Sequence, residues 1–206
     1  MRKTALFVVL SIFSVLLCTC LPQKRPGAGV AVKDASGAWV SDSEKFALEY
    51  PGVGSDNIFV IRTAEQTAQI LERGTGIVFL GFKECPWCQR YAVYLQEAAR
   101  EVELNRIFYC DIKKDRDDNT ESYKKIISAL SGRLQFDDEG HEKIFVPDVT
   151  IIDSGEIIGR DYETSKDTLG CDTPDQYWTR ARVLALQYRL KGYMSQLQKP
   201  CNICNH

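Results

Sequence analysis

Two cysteines separated by a proline and a tryptophan, Cys85, Pro86, Trp87 and Cys88, are the residues whose types and spacing can do chemistry unaided. A thiolate attacks disulfides, and a second thiol one helical turn on can attack the mixed disulfide so formed and release the product. That chemistry works best with the first cysteine at a helix start, where free backbone N–H groups and the positive end of the macrodipole favour thiolate over thiol. Pro86 suits the first helical position, because its missing N–H would have had no intrahelical partner. Cys85 is therefore the expected nucleophile and Cys88 the expected resolving thiol. Trp87, inside the turn, is either a substrate-contacting side chain or a packing one.

The surrounding sequence supplies elements that place this turn. Residues 76–82 form an apolar run without alternation, the pattern of a central strand covered on both faces, and the run stops just before Cys85. Residues 86–103 read as a helix with Ala92, Leu95, Ala99 and Val102 on one face, followed by a strand over 106–111. Upstream, a β-rich run at 58–61 precedes a capping box from Thr63 to Gln66, which opens a helix ending at Arg73 and Gly74. Downstream come a charged loop over 113–119, a helix over 120–130, an acidic excursion over 131–143, and a strand over 144–152 interrupted by Pro147. A turn at 153–155 returns a strand over 156–160 as an antiparallel hairpin, and a last helix runs over 174–198. The expected fold class is α/β, a central mixed sheet with helices on both faces. With 206 residues and 44% of them hydrophobic, the chain can bury one core but not two ordinary ones.

The ends of the chain speak to location. Arg2 and Lys3 precede an apolar run over 5–17, the n-region and h-region of an export signal, so the working domain is expected outside the cytoplasm. Leu17, Cys18, Thr19 and Cys20 resemble a bacterial lipoprotein signal with Cys20 as the lipidated residue. Because residues 4–23 carry no charge over a membrane-spanning length, an uncleaved anchor stays open beside the lipid, as does free secretion. Gly, Ser and Pro enrich 22–57, which reads as a tether with one short ordered piece around 45–50. The formal charge of -2, from 26 basic and 28 acidic side chains, excludes nucleic acid as a partner recognised by net charge.

A strand, a Cys-x-x-Cys turn opening a helix, a further strand and helix, a Val-Pro entering a strand, a hairpin and a final helix together resemble the thioredoxin superfamily, over about 57–195. The chain is more narrowly similar to the membrane-associated thioredoxin-like proteins of Gram-positive bacteria known as bacteriocin transport accessory proteins. The resemblance implies that Pro147 follows a cis peptide bond beside the Cys-x-x-Cys turn and that Val146 pairs with an extended substrate. It also implies thiol-disulfide exchange with protein substrates and a redox partner protein, with no cofactor and no resident metal. Phe79 stands where thioredoxin proper has a buried aspartate, Glu84 stands where it has Trp, and a Cys-Pro-aromatic-Cys turn is closer to glutaredoxins and periplasmic disulfide oxidases. The direction of electron flow is thus left open. The expected organisation is a signal over 1–20, a tether over 21–56, a thioredoxin-like domain over 57–199 and a cysteine-containing tail over 200–206.

Two rival readings compete with exchange. One is a non-catalytic accessory module for export or transport machinery, with the cysteine pair as a structural disulfide. The other is a metal site joining Cys85 and Cys88 to Cys201, Cys204 and His206, which would complete a zinc ligand set. Cys110, in an apolar strand, is expected to be a buried inert thiol, and His141 a solvated loop residue. The remaining thiols depend on the last helix. A straight helix over 174–198 separates its ends by roughly 35 Å, too far for Cys201 to come within the ~7 Å of Cys171 that a disulfide demands. A break near Gly192 would let the chain return at about 3.3 Å per residue. We expect that break, with a bridge from Cys171 to Cys201 or Cys204, and a local Cys201–Cys204 loop as the alternative.

Overall fold

The computed structural model describes residues 32–33 and 39–198, with side chains over 41–197. Two short strands, β1 (Val32–Lys33) and β2 (Trp39–Val40), pair antiparallel ahead of helix α1 (Asp42–Glu49). Ser41 caps α1, accepting from the Glu44 N–H while the Glu44 carboxylate takes the Ser41 N–H at 2.9 Å, so two orphan donors are satisfied at once. After a 3-10 turn at Pro51–Val53, strand β3 (Phe59–Ile61) leads into α2 (Ala64–Arg73), whose Thr63/Gln66 capping box forms as the sequence predicts.

Strand β4 (Gly76–Gly81) is followed by α3 (Pro86–Glu101), β5 (Ile107–Asp111), a short α4 (Lys113–Asp117) and α5 (Glu121–Leu130). A small hairpin of β6 (Gln135–Phe136) and β7 (Glu142–Lys143) precedes β8 (Asp148–Asp153) and β9 (Glu156–Asp161), and the chain ends in α6 (Pro174–Tyr177), α7 (Arg180–Met194) and a 3-10 turn at Ser195–Gln198. The central sheet has the order β3-β5-β4-β8-β9. Its first three strands are parallel, and β8 and β9 run antiparallel to their neighbours. Helices α2 and α5 pack together on one face; α1, α3 and α7 occupy the other. The fold is therefore α/β with a mixed five-stranded sheet between helices. Every residue of β4 from Ile77 to Gly81 is buried, as its unbroken apolar run requires.

Several expectations are corrected. The globular part begins near Ser41 and not at 57, because Phe46 and Tyr50 are fully buried. Phe46 stacks on Tyr50 and Phe59 with centroids 4.4 and 4.0 Å apart. Those two aromatics, one helical turn apart, hold an otherwise polar helix on the sheet, and so few apolar positions read as linker. The loop over 113–119 contains α4, supported by i,i+4 pairs Lys113–Asp117 and Lys114–Asp118. The excursion over 131–143 folds into the β6–β7 hairpin.

The final helix does break, but at Trp178, where φ −78° and ψ 68° leave the helical region and Thr179 caps a new start. Trp178 turns inward there against Tyr91, Tyr94 and Tyr177. Helix α7 then runs unbroken through Gly192, so the short return path expected from that glycine is absent. Cys201 and Cys204 lie outside the described residues, as do Cys20 and the export signal.

Candidate functional site

The Cys85 turn sits where β4 ends and α3 begins. Cys85 is the N-cap of α3, in extended conformation, and its Sγ accepts the Cys88 backbone N–H at 3.1 Å. A sulfur thus occupies the place an oxygen takes in an ordinary N-cap, with the same reward of satisfying an orphan donor. Pro86 is the first helical residue and is exposed, while Trp87 is half-buried against the Tyr177 ring, centroids 6.0 Å apart.

The two thiols differ sharply. A hydrogen bond from the Cys88 side chain holds the Cys85 thiol below its ordinary range; burial opposes this, and the Cys88 and Trp87 N–H groups and the Arg116 charge reinforce it. Arg116 is positioned by α4, its guanidinium 5.2 Å above the Phe82 ring. Cys88 is completely buried, and burial first, then the facing Cys85, pushes its thiol well up. The environment thus lowers one thiol, which is nearly buried, and raises the other, which is completely buried.

Strand β8 starts opposite Leu80 of β4, at Asp148. The cis Val146–Pro147 bond therefore lies at the same end of the sheet as the Cys85 turn, in the cis form that the resemblance implies. Val146 and Pro147 are both buried. Beside them Asp148 and Arg160, only 1% and 7% exposed at the side chain, form an ion pair that also reaches the Arg133 carbonyl. Burial pushes the Asp148 carboxyl up, against the Arg160 charge.

Phe79 lies within a cage of Tyr50, Tyr91 and Tyr109 rings. Inside it the Tyr50 hydroxyl donates to the Tyr109 hydroxyl at 3.2 Å, both rings being buried. Sequence reasoning missed this pair and Arg116. Tyr50 fell in the expected tether, Arg116 in the expected loop, and Tyr109 in a strand where a tyrosine signals only a half-buried surface.

The other candidate residues stand apart. Cys110 is 1% exposed in β5 on the sheet, and burial drives its thiol up to about 12, which opposes a thiolate there. Cys171 is half-buried in the loop before α6 and forms no disulfide with another described residue. His141 is exposed at the β6–β7 turn, its Nδ1 3.8 Å from Asp137 and 3.6 Å from Glu139. Among the described residues no group of three His, Cys, Asp or Glu side chains is arranged to hold a metal ion, and no helix is long and apolar enough to cross a membrane.

Helix α7 lies parallel to α3, Gln187 beside Glu97 and Lys191 beside Glu101. Cys201, Cys204 and His206, the other ligands of the expected metal site, lie outside the described residues. The chain matches no protein-family model and no curated protein.

Proposed function

We propose that this chain is a thioredoxin-fold thiol-disulfide oxidoreductase, tethered to the outer face of the cell membrane and acting on protein thiols through Cys85 and Cys88. The observation that carries the reading is the asymmetry of the pair. Cys85 is stabilised as a thiolate at a helix start, and Cys88 is held as a buried thiol behind it. A structural disulfide has no use for such a difference. The mixed sheet with a Cys-x-x-Cys turn and a cis-proline at one end supports the thioredoxin reading.

The exchange proceeds in two displacements. The Cys85 thiolate attacks a client disulfide, forming a Cys85–client S–S bond and releasing one client sulfur as thiolate. Cys88 then attacks the Cys85 sulfur; the intramolecular disulfide forms, the Cys85–client bond breaks, and the second client sulfur leaves. Two electrons pass from the dithiol to the client, and the reverse sequence oxidises a client dithiol. The exposed Pro86 and the Val146–Pro147 backbone would flank the client.

Equilibrating the full chain against a graded glutathione couple, with the Cys85–Cys88 state read by alkylation and mass, measures the potential. A value near that of glutaredoxins or above assigns oxidation or isomerisation, and a value near that of thioredoxin assigns reduction. A pair that stays oxidised across the series, with no turnover of a dithiol client, would select the accessory module instead.

A further inference from the structure

The buried resolving thiol has an unusual neighbour. Gly81, the last residue of β4, has no side chain, and the point where a Cβ would sit lies 3.2 Å from the Tyr50 hydroxyl and 3.4 Å from the Cys88 Sγ. The absent side chain leaves a gap into which the hydroxyl and the sulfur both project. Tyr50 comes from α1's C-terminal cap and Cys88 from α3, so both elements reach this gap, and Tyr109 of β5 meets the Tyr50 hydroxyl behind it. The Phe79 ring, 3.1 Å from the same point, can neither donate nor accept a strong hydrogen bond.

We propose that Tyr50 is a positioning residue for the resolving step, its hydroxyl donating to the Cys88 sulfur as that sulfur becomes a thiolate. The inference rests on the exchange reading above. In the dithiol form the Tyr50 hydroxyl is given to Tyr109. Rotation about its C–O bond turns the proton to the sulfur, and Tyr109 then donates back to Tyr50, so no hydroxyl in the pair is left unsatisfied. Tyr50 keeps its own proton throughout. In the step itself an S–S bond forms between Cys85 and Cys88, the Cys85–client S–S bond breaks, and the Cys88 proton ends on the departing client sulfur. A buried thiolate without a donor is costly, whereas one hydrogen bond to a charged acceptor is worth more than tenfold in rate. The nearby Asp111 at the end of β5 cannot donate as a carboxylate and its charge opposes a Cys88 thiolate, while the Arg116 charge acts on Cys85.

The two displacements can be timed separately. Mixing the reduced full chain with one equivalent of 5,5′-dithiobis(2-nitrobenzoate) releases a first thionitrobenzoate when Cys85 attacks and a second when Cys88 resolves. In Tyr50→Phe the second release slows about tenfold or more, while the first stays within about twofold of the wild type. Tyr109→Phe, which keeps the Tyr50 hydroxyl but removes its return partner, slows the second release by a smaller factor. Tyr109→Phe also decides the matter should Tyr50→Phe fail to fold. An unchanged second release in a folded Tyr50→Phe, or in Tyr109→Phe alone if the other does not fold, overturns the proposal and leaves the exchange reading standing. A wild type that never gives a second release overturns both.

Discussion

Two buried thiols, one within a strand of the sheet and one at the start of a helix, behave in opposite ways. Cys110 sits within β5, 1% exposed, and burial lifts its thiol to about 12. Cys85 is hardly more accessible at 7%, yet its thiol is lowered. The difference is what meets the sulfur. Strand N–H groups on either side of Cys110 are spent in the sheet ladder, whereas Cys85 caps a helix whose first donors have no intrahelical acceptor. Burial alone suppresses a thiolate; burial at a helix start, with a second thiol and an arginine facing it, stabilises one.

The largest effect that sharpens this contrast is loss of the nucleophile. Cys85→Ser is expected to abolish exchange with a dithiol or disulfide client, and Cys110→Val to leave it unchanged. In the reduced wild type, iodoacetamide at neutral pH should reach Cys85 at least about a hundredfold faster than Cys110 or Cys88. Equal alkylation of Cys85 and Cys88, read by peptide mapping, breaks the assignment of roles.

Cys88→Ser comes next. The variant keeps the nucleophile and loses the resolving thiol, so mixed disulfides with clients accumulate on Cys85 and appear as heavier bands on non-reducing gels. Because the Cys88 side chain is the first cause of the lowered Cys85 thiol, the pH midpoint of Cys85 alkylation should move upward in this variant if serine bonds the sulfur less strongly than the thiol does. An unchanged midpoint would show that the backbone donors dominate, and a fall that the serine hydroxyl bonds the sulfur more strongly than the thiol does.

Phe46→Ala tests whether α1 belongs to the domain that holds the site. Emptying a fully buried aromatic position should cost about 3–5 kcal/mol in denaturant unfolding. A chain beginning at residue 57 should be destabilised further, and one beginning at 41 should match the longer chain in stability. Equal midpoints for the 41 and 57 starts would return α1 to the tether.

The smallest effect concerns Cys110. Its folded thiol is raised from an ordinary 9.0 to about 12, so between those values the unfolded chain has released a proton that the folded chain keeps. Bound protons are then fewer in the unfolded state, and stability falls as pH rises through that window. Cys110→Val removes the linked proton and should spare about 2 kcal/mol of that loss by pH 10.5, with little difference at pH 7. Parallel stability curves for the two proteins from pH 8 to 10.5 would show that Cys110 is not protected by the sheet.

The sequence by itself determined the elements around the turn. An apolar run without alternation can only be satisfied as a strand covered on both faces, Thr63 and Gln66 complete their capping box from local spacing, and a Pro after Cys85 fixes the start of α3. These are short-range signals, written in consecutive residues. Tertiary structure alone decided what surrounds the sulfurs. Tyr50 is distant in sequence from Gly81 and Cys88 and meets them only because α1 docks on the sheet through Phe46, a contact no local period announces. The break at Trp178 has the same origin: five aromatic rings packing between α3 and the last helices outweigh the helix that the local sequence favours, because burying such rings yields more than a few backbone hydrogen bonds.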